Sequence, residues 1–208
     1  GLHFRERKMY MKKFLVLLAA LLLSFQTQAA LVSGPDIIGA IAVQEDSPTN
    51  DHQQGFNENQ SVLLDRTITV DGGTIASGTR VDSHLIFLNS QGNTRVSDSQ
   101  RWGFDGIILG VMSDYTGALM TATDDLFAVG TYFTDRANPT FNAKGLEGND
   151  SYSLFSSFLL DVNMVVTEPG DWIRVITASA VPVPAAIFLF GPALLGFIGL
   201  RRKQKLTA

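Results

Sequence analysis

The side chains that most often catalyse reactions or bind zinc are scarce in the middle of this chain. It has no cysteine, and residues 30–180 contain two histidines, His52 and His84. Neither has the four-residue helical spacing of a zinc-binding pair, so no zinc site is expected. Asp82, Ser83 and His84 have the residue types of a hydrolase triad. Because neighbours along a strand point to opposite faces, these three cannot converge, and His84 is predicted to be a core or strand-end residue.

Acidic side chains are the remaining candidates for chemistry. Between residues 30 and 180, nineteen Asp and Glu stand against seven Lys and Arg, a net charge of −12. This charge would repel phosphates, so nucleic acid is not an expected partner. Two carboxylates about 5 to 9 Å apart would suit glycoside hydrolysis, but the sequence does not show which residues would pair. Since it also lacks nucleophile-elbow, phosphate-loop and dinucleotide-binding motifs, the chain is not predicted to be an enzyme.

Calcium is the one cofactor that the sequence leaves open. Hard cations prefer oxygen ligands in flexible loops. Oxygen-bearing side chains lie in glycine-containing turns at Asp71, Glu147, Asn149, Asp150 and Asp171. No stretch fits the twelve-residue EF-hand loop, and turn-forming residues on a solvated surface are the simpler interpretation. No cofactor is predicted beyond these weak calcium candidates.

The middle of the chain has the pattern of an all-β domain. Short apolar runs are separated by turns rich in Gly, Asn and Asp, without a sustained helical period. The predicted strands are 37–43, 61–70, 80–89, 101–113, 152–167 and 172–177, with a short helix at 121–127 and a flexible loop at 47–59. Strands at this spacing predict a β-sandwich or jelly-roll-like domain over residues 30–180.

Three patterns predict which residues fill the core of this domain. Trp102 and Trp172 lie within or beside apolar strands, so core packing is favoured over stacking on sugars. From Phe158 onward alternate residues up to Val166 are apolar, which predicts one buried face. Continuous apolar runs at 62–64 and 107–109 predict strands that are covered on both faces.

The amino-terminal end, residues 1–29, has the pattern of an export signal. Met11 and two lysines precede the apolar run 14–23, and small residues follow up to Ala29 and Ala30. This order is typical of a signal-peptide helix that signal peptidase removes, with the cut expected after Ala29. At about ten residues the apolar run is too short to span a membrane. Residues 1–10 lie upstream of a better start at Met11 and are expected to be an extension.

The carboxy-terminal end, residues 181–208, has three parts in order. They are the motif Val181, Pro182, Val183, Pro184 and Ala185, an apolar run to Leu200, and the basic cluster Arg201, Arg202 and Lys203. Residues 181–200 form an apolar stretch that at about 1.5 Å per residue just crosses a ~30 Å bilayer core as a transmembrane helix. The basic cluster predicts a cytoplasmic carboxy terminus with the body outside. The prolines predict an extended motif at the membrane surface.

Residues 181–203 resemble the PEP-CTERM family of sorting signals, which have these three parts in the same order and length. Val183 stands where the name-giving glutamate occurs, so the tail is similar to the VPxPA variants. The resemblance implies processing by an exosortase, a membrane enzyme with a cysteine nucleophile, in a Gram-negative bacterium that makes exopolysaccharide. The implied partners are therefore signal peptidase, an exosortase-like enzyme, the inner membrane and exopolysaccharide. The body also resembles a core found in uncharacterised proteins with this tail, which implies no activity.

The sequence therefore predicts an exported cell-surface or extracellular-matrix protein, with a structural or binding role and not a catalytic one. Two alternatives remain open. One is a secreted protein that binds or hydrolyses carbohydrate, and the other is an envelope protein held permanently by its carboxy-terminal helix. A carbohydrate-active protein should have an open groove lined by Trp and carboxylates, whereas a structural module should have a filled core without such a groove.

Overall fold

Antiparallel strands make up most of the chain that the structure describes. This computed structural model describes residues 30–41, 43, 49–91, 94–128, 144–167 and 170–179, which belong to one compact unit. The predicted signal peptide at 1–29 and the predicted sorting signal at 181–208 lie outside these residues. Within the described ranges, no helix combines the length and the apolar character that crossing a bilayer requires.

The strands form two four-stranded sheets and one two-stranded hairpin. In chain order the elements are β1 (Leu31–Ser33), β2 (Gln54–Leu63), β3 (Ile68–Val70), β4 (Gly73–Ile75), β5 (Arg80–Leu88), β6 (Val96–Phe104), β7 (Ile108–Met112), α1 (Ala118–Thr121), α2 (Asp124–Phe127), β8 (Ser151–Ser156), β9 (Leu159–Val166) and β10 (Asp171–Ala178). The central sheet has the order β2, β5, β10, β7, and the outer sheet has the order β1, β6, β9, β8. All pairings between these named strands are antiparallel, and the predicted β class is confirmed.

The outer sheet is covered on one face, as the alternation in β9 predicts. Leu160, Val162, Met164 and Val166 are each at most 2% exposed, while the residues between them are partly exposed. This period of two is what a strand with one face on a core requires. Phe158 departs from the prediction, since it lies in the turn before β9 and is 44% exposed.

The central sheet is covered on both faces. Strands β5 and β10 are buried along nearly their whole length. Ile86 and Ile173 belong to an apolar cluster that the central sheet shares with the outer sheet. Leu85 and Ile176 belong to a second cluster, which includes residues of the β3–β4 hairpin and of the two short helices. The central sheet is therefore a middle layer between the outer sheet and this cap.

The strands that are buried on both faces are not the ones that the sequence predicted. Leu63, Ile107 and Leu109 lie in the two apolar runs that predicted it, yet they are 55%, 48% and 36% exposed. Strands β2 and β7 lie at the edges of the central sheet, whereas β5 and β10 are its inner strands. An apolar run at an edge thus receives less cover than one in the middle of the same sheet.

Some predicted elements have other boundaries in the structure. The predicted strand 61–70 is interrupted after β2 by a short turn at Asp65, and β3 begins later. The predicted strand 37–43 contributes an isolated bridge between Ile37 and Gly55. The predicted loop 47–59 contains the first half of β2, because its polar side chains bond within the domain rather than to solvent.

Both tryptophans are core residues, as predicted. Trp102 is 0% exposed and Trp172 is 1% exposed. The indole N–H of Trp102 donates to Gln53 Oε1 at 2.8 Å, and that of Trp172 donates to Asn89 Oδ1 at 2.9 Å. The amide of Gln53 also donates to two backbone carbonyls of the outer sheet. Each buried indole thus satisfies its polar atom, which removes the cost of burying it.

A fully buried guanidinium joins the central sheet to the two short helices. Arg174 of β10 donates from Nε to Glu58 Oε2 at 2.6 Å and from Nη2 to Glu58 Oε1 at 2.9 Å. Nη2 also donates to Asp124 Oδ1 at 2.8 Å, and Nη1 donates to the Met120 carbonyl at 2.8 Å and to Thr123 Oγ1 at 3.0 Å. These contacts use all five N–H groups of the guanidinium.

Replacing Arg174 with Met should destabilise the fold strongly. The change leaves the Glu58 and Asp124 carboxylates buried without their counter-charge, and breaking such a pair costs about 3–5 kcal/mol. Urea denaturation would measure the loss. The control is Arg101→Met, which removes an exposed ion pair with Asp161 and should cost far less. Equal losses in the two variants would contradict the anchoring role of Arg174.

Candidate functional site on the open face of the outer sheet

His84 lies in the core between the two sheets and not at a reactive surface. Its Nδ1 is 2.7 Å from Asn57 Oδ1, and its Nε2 is 3.0 Å from Thr177 Oγ1. The ring packs on Phe104, with 5.0 Å between centroids. Burial lowers the pKa of His84 to about 3. The imidazole is therefore neutral at physiological pH, and its contacts fix the strands around it.

Asp82, Ser83 and His84 do not converge, as the alternation along a strand predicts. Ser83 Oγ donates to Glu58 Oε2 at 2.6 Å, on the opposite face of the sheet from His84. Asp82 Oδ1 accepts a hydrogen bond from Ser179 Oγ at 3.0 Å. The three side chains thus serve separate structural contacts, and they form no nucleophile–base pair.

Two of the five calcium candidates accept hydrogen bonds from backbone or hydroxyl groups of the protein. Asp71 Oδ2 accepts from Ser113 Oγ at 2.6 Å. Asp150 Oδ2 accepts the backbone N–H of Glu147 at 2.9 Å, and Asp150 Oδ1 accepts that of Val165 at 2.6 Å. Only the contact between Asp150 and Glu147 is the local turn contact that the sequence analysis preferred, whereas the other two join separate parts of the chain.

The other candidates lie near Asp150 without forming a metal site. Burial, followed by the nearby Asp150 and Glu147 carboxylates, raises the pKa of Asp171 to about 9, so this carboxyl holds a proton at neutral pH. Burial and Asp150 also raise the pKa of Glu147. Asn149 is exposed, and its carbonyl accepts a hydrogen bond from Asn163. Within the described ranges, no three acidic or histidine side chains have an arrangement that would hold a metal ion.

A groove of about 560 Å³ crosses the open face of the outer sheet, over β6, β9 and β8. The register of these strands sets outward side chains in two rows. One row is Ser99, Asn163 and Ser151, and the next is Arg101, Asp161 and Ser153. We call these six residues the polar groove. Since neighbouring strands are about 4.8 Å apart, each row presents polar groups at a regular short spacing.

An ion pair lies in the polar groove, and the aromatic ring of Phe155 packs on its guanidinium from beside the groove. Arg101 donates from Nε and Nη2 to Asp161 Oδ1 and Oδ2, at 2.6 and 2.9 Å. The guanidinium lies 3.6 Å from the ring centroid of Phe155. Phe155 is 60% exposed. A bidentate carboxylate together with a stacked ring fixes the plane of the guanidinium. This part of the groove is therefore preorganised without a ligand.

The polar groove is suited to binding and not to proton transfer. Its carboxylate is Asp161, and the hydrogen bond from Arg101 holds the pKa of Asp161 below its usual range. Ser99 Oγ donates to Asn163 Oδ1 at 2.6 Å, and Asn163 Nδ2 donates to the Asn149 carbonyl at 2.8 Å. Fixed amide, hydroxyl and guanidinium groups can exchange hydrogen bonds with a ligand that is rich in hydroxyl groups.

Sequence reasoning did not single out the residues of the polar groove. Polar outward positions are ordinary on a half-buried strand, so Ser99 and Ser151 carry no signal of their own. Arg101 and Asp161 are sixty positions apart, and only the strand register brings them together. The one available signal was Phe155, a large apolar residue in a stretch rich in serine.

Comparisons with protein-family models, with curated proteins and with solved structures gave no match.

The buried His84 should make the fold less stable in acid. A histidine titrates near pH 6.5 when unfolded, but burial in the fold lowers the pKa of His84 to about 3. Between these values the unfolded chain binds the additional proton, so the free energy of unfolding should fall as the pH drops from about 6.5 towards 3. His84→Gln should flatten this part of the curve in urea titrations at a series of pH values. The control is His52→Gln at an exposed site, which should keep the slope. An unchanged slope in H84Q would refute this prediction.

Proposed function

We propose that this chain is an exported cell-surface or extracellular-matrix protein, with a signal peptide at 1–29 and a PEP-CTERM-like sorting signal at 181–208. The body between them is a β-sandwich module with a structural or binding role and no catalysis. Signal peptidase removes the first segment, and an exosortase-like enzyme processes the tail. During this step the chain is an inner-membrane intermediate with a cytoplasmic carboxy terminus.

The order of parts in the tail is the observation that carries this proposal. A motif with Pro182 and Pro184, an apolar run and a basic cluster follow one another from Val181 to Lys203. Nine of the sixteen Lys and Arg lie before Phe14 or after Leu200, outside the acidic body. A basic cluster directly after an apolar run is retained in the cytoplasm, which holds the chain while the tail is processed.

The contacts of the body support a role as a scaffold. Four large core side chains carry polar groups that could bind a ligand: Arg174, His84, Trp102 and Trp172. Each is buried, and each makes internal hydrogen bonds. Because these four side chains are used in internal contacts, binding is left to the surface of the domain.

The intact mass of the protein from its native host tests the sorting proposal. In the normal host the mass should lack both ends, because signal peptidase and the exosortase each remove one. A host without the exosortase should yield the same body with its tail. The double variant Pro182→Ala, Pro184→Ala should also keep the tail, since it allows the motif to become helical.

The variant Val183→Glu, which restores the residue that names the family, is the matched control and should be processed in full. If the tail stays on the parent protein in both hosts, the segment is a permanent anchor and the sorting proposal fails.

A second candidate function, carbohydrate binding, is favoured by the polar groove. Two rows of hydrogen-bonding groups lie beside Phe155, whose exposed ring can contact the apolar face of a sugar. The body carries a net charge of −12, which favours a neutral over an anionic polysaccharide. The tryptophans expected in a carbohydrate-active groove are buried instead, so Phe155 takes the role of the aromatic platform.

Retention on neutral polysaccharides in affinity electrophoresis tests the second function. Phe155→Ala should weaken retention about tenfold, which corresponds to the loss of one aromatic contact. Tyr115→Ala is the control, because Tyr115 is a similarly exposed aromatic residue outside the groove and its loss should have no effect. Equal retention of F155A and the parent would exclude the groove as a sugar site.

A further inference from the structure

Three exposed apolar side chains lie at the same end of the two sheets. Ile107, Leu154 and Phe158 are 48%, 58% and 44% exposed, and we call them the apolar rim. The backbone N–H of Ile108 donates to the Ser157 carbonyl at 2.8 Å, so the start of β7 lies against the β8–β9 turn. Residues from both sheets therefore meet at the rim.

The rim is exposed because burial on the inner face of the outer sheet does not reach its edge strand β8. Leu154 of β8 is paired with Leu160 of β9, so both side chains lie on the same face of the outer sheet. Leu160 is fully buried, whereas Leu154 at the edge strand is mostly exposed. A cluster of large apolar groups that the fold leaves uncovered marks an interaction surface.

The rim lies where the described chain leaves the domain. The backbone N–H of Ala178 donates to the Ile107 carbonyl at 2.8 Å, and Ser179 is the last described residue. The apolar stretch of the tail, residues 181–200, begins two residues after Ser179. At 3.3–3.6 Å per residue, two residues reach at most about 7 Å. The proposed membrane segment is therefore joined to this end of β10 by a short piece of chain.

We infer that the apolar rim rests on the neutral phospholipid surface of the membrane that holds the carboxy-terminal segment. This inference rests on the proposed function and assigns a contact surface to its membrane-held intermediate. Apolar side chains near a short tether gain by entering the headgroup and acyl boundary. The body is acidic, so neutral headgroups are favoured over anionic ones.

Single-cysteine labelling tests the contact directly, because the chain has no cysteine of its own. The full chain with Phe158→Cys, or with Leu154→Cys, is labelled with a polarity-sensitive dye and reconstituted into nanodiscs of neutral phospholipid at one copy per disc. Lipids with a quencher on the acyl chain should reduce the emission at both positions by about twofold or more, as expected for groups at the acyl boundary.

Tyr115→Cys is the matched control. Tyr115 is 50% exposed and follows the opposite end of β7, so its label should keep its emission. If the chain is retained in the discs without quenching at 158 and 154, the rim inference is wrong and the anchored tail stands. If the label is shielded when a second copy is added, without lipid quenching, the rim is a self-association surface. If the chain is not retained in the discs, the inference and the membrane-held step of the proposed function both fail.

Discussion

The buried guanidinium of Arg174 is the interaction on which the arrangement of layers depends. Arg174 and Glu58 belong to strands separated by β5, so their pairing spans the middle of the central sheet. The same guanidinium reaches Asp124 and the carbonyl of Met120, which holds the two short helices over that sheet. Burial opposes the charge, but the two carboxylates outweigh it and raise the pKa of Arg174. Each partner is tolerated in the core because the others are present.

The two sheets differ in cover, and this difference decides where a ligand can bind. The central sheet has the outer sheet on one face and the helical cap on the other, so its side chains serve packing. The outer sheet has one free face, which carries the polar groove. Its edge strand β8 also contributes Leu154 to the apolar rim. The polar groove therefore belongs wholly, and the apolar rim partly, to the sheet that the fold covers least, which is where binding sites are expected on a rigid scaffold.

In the proposed function, the two ends direct export and sorting, and the body provides the folded surface. Export and sorting depend on linear patterns of charge and hydrophobicity, which partner enzymes and the membrane read without a folded domain. The body adds a stable acidic surface with a preorganised groove. The last described strand, β10, ends beside Ile107, and the tail follows it along the chain.

The sequence by itself determined the β class, the buried alternation from Leu160 to Val166 and the core position of Trp102. It also excluded a triad around His84. These features follow from local period and from single side-chain chemistry, so neighbours along the chain contain the necessary information. Tertiary structure alone decided which strands are inner and which are edges, and therefore which apolar runs are covered.

It also decided the partners of the charged residues. Arg174 and Glu58 are 116 positions apart, and Arg101 and Asp161 are sixty positions apart. No local pattern couples such pairs, since each residue alone is an ordinary polar strand residue. The strand register sets the groove rows, and the strand order β2, β5, β10 together with its register sets the buried ion pair. The reason is that hydrogen bonding between distant strands, and not the chain's local preferences, places these side chains within contact distance.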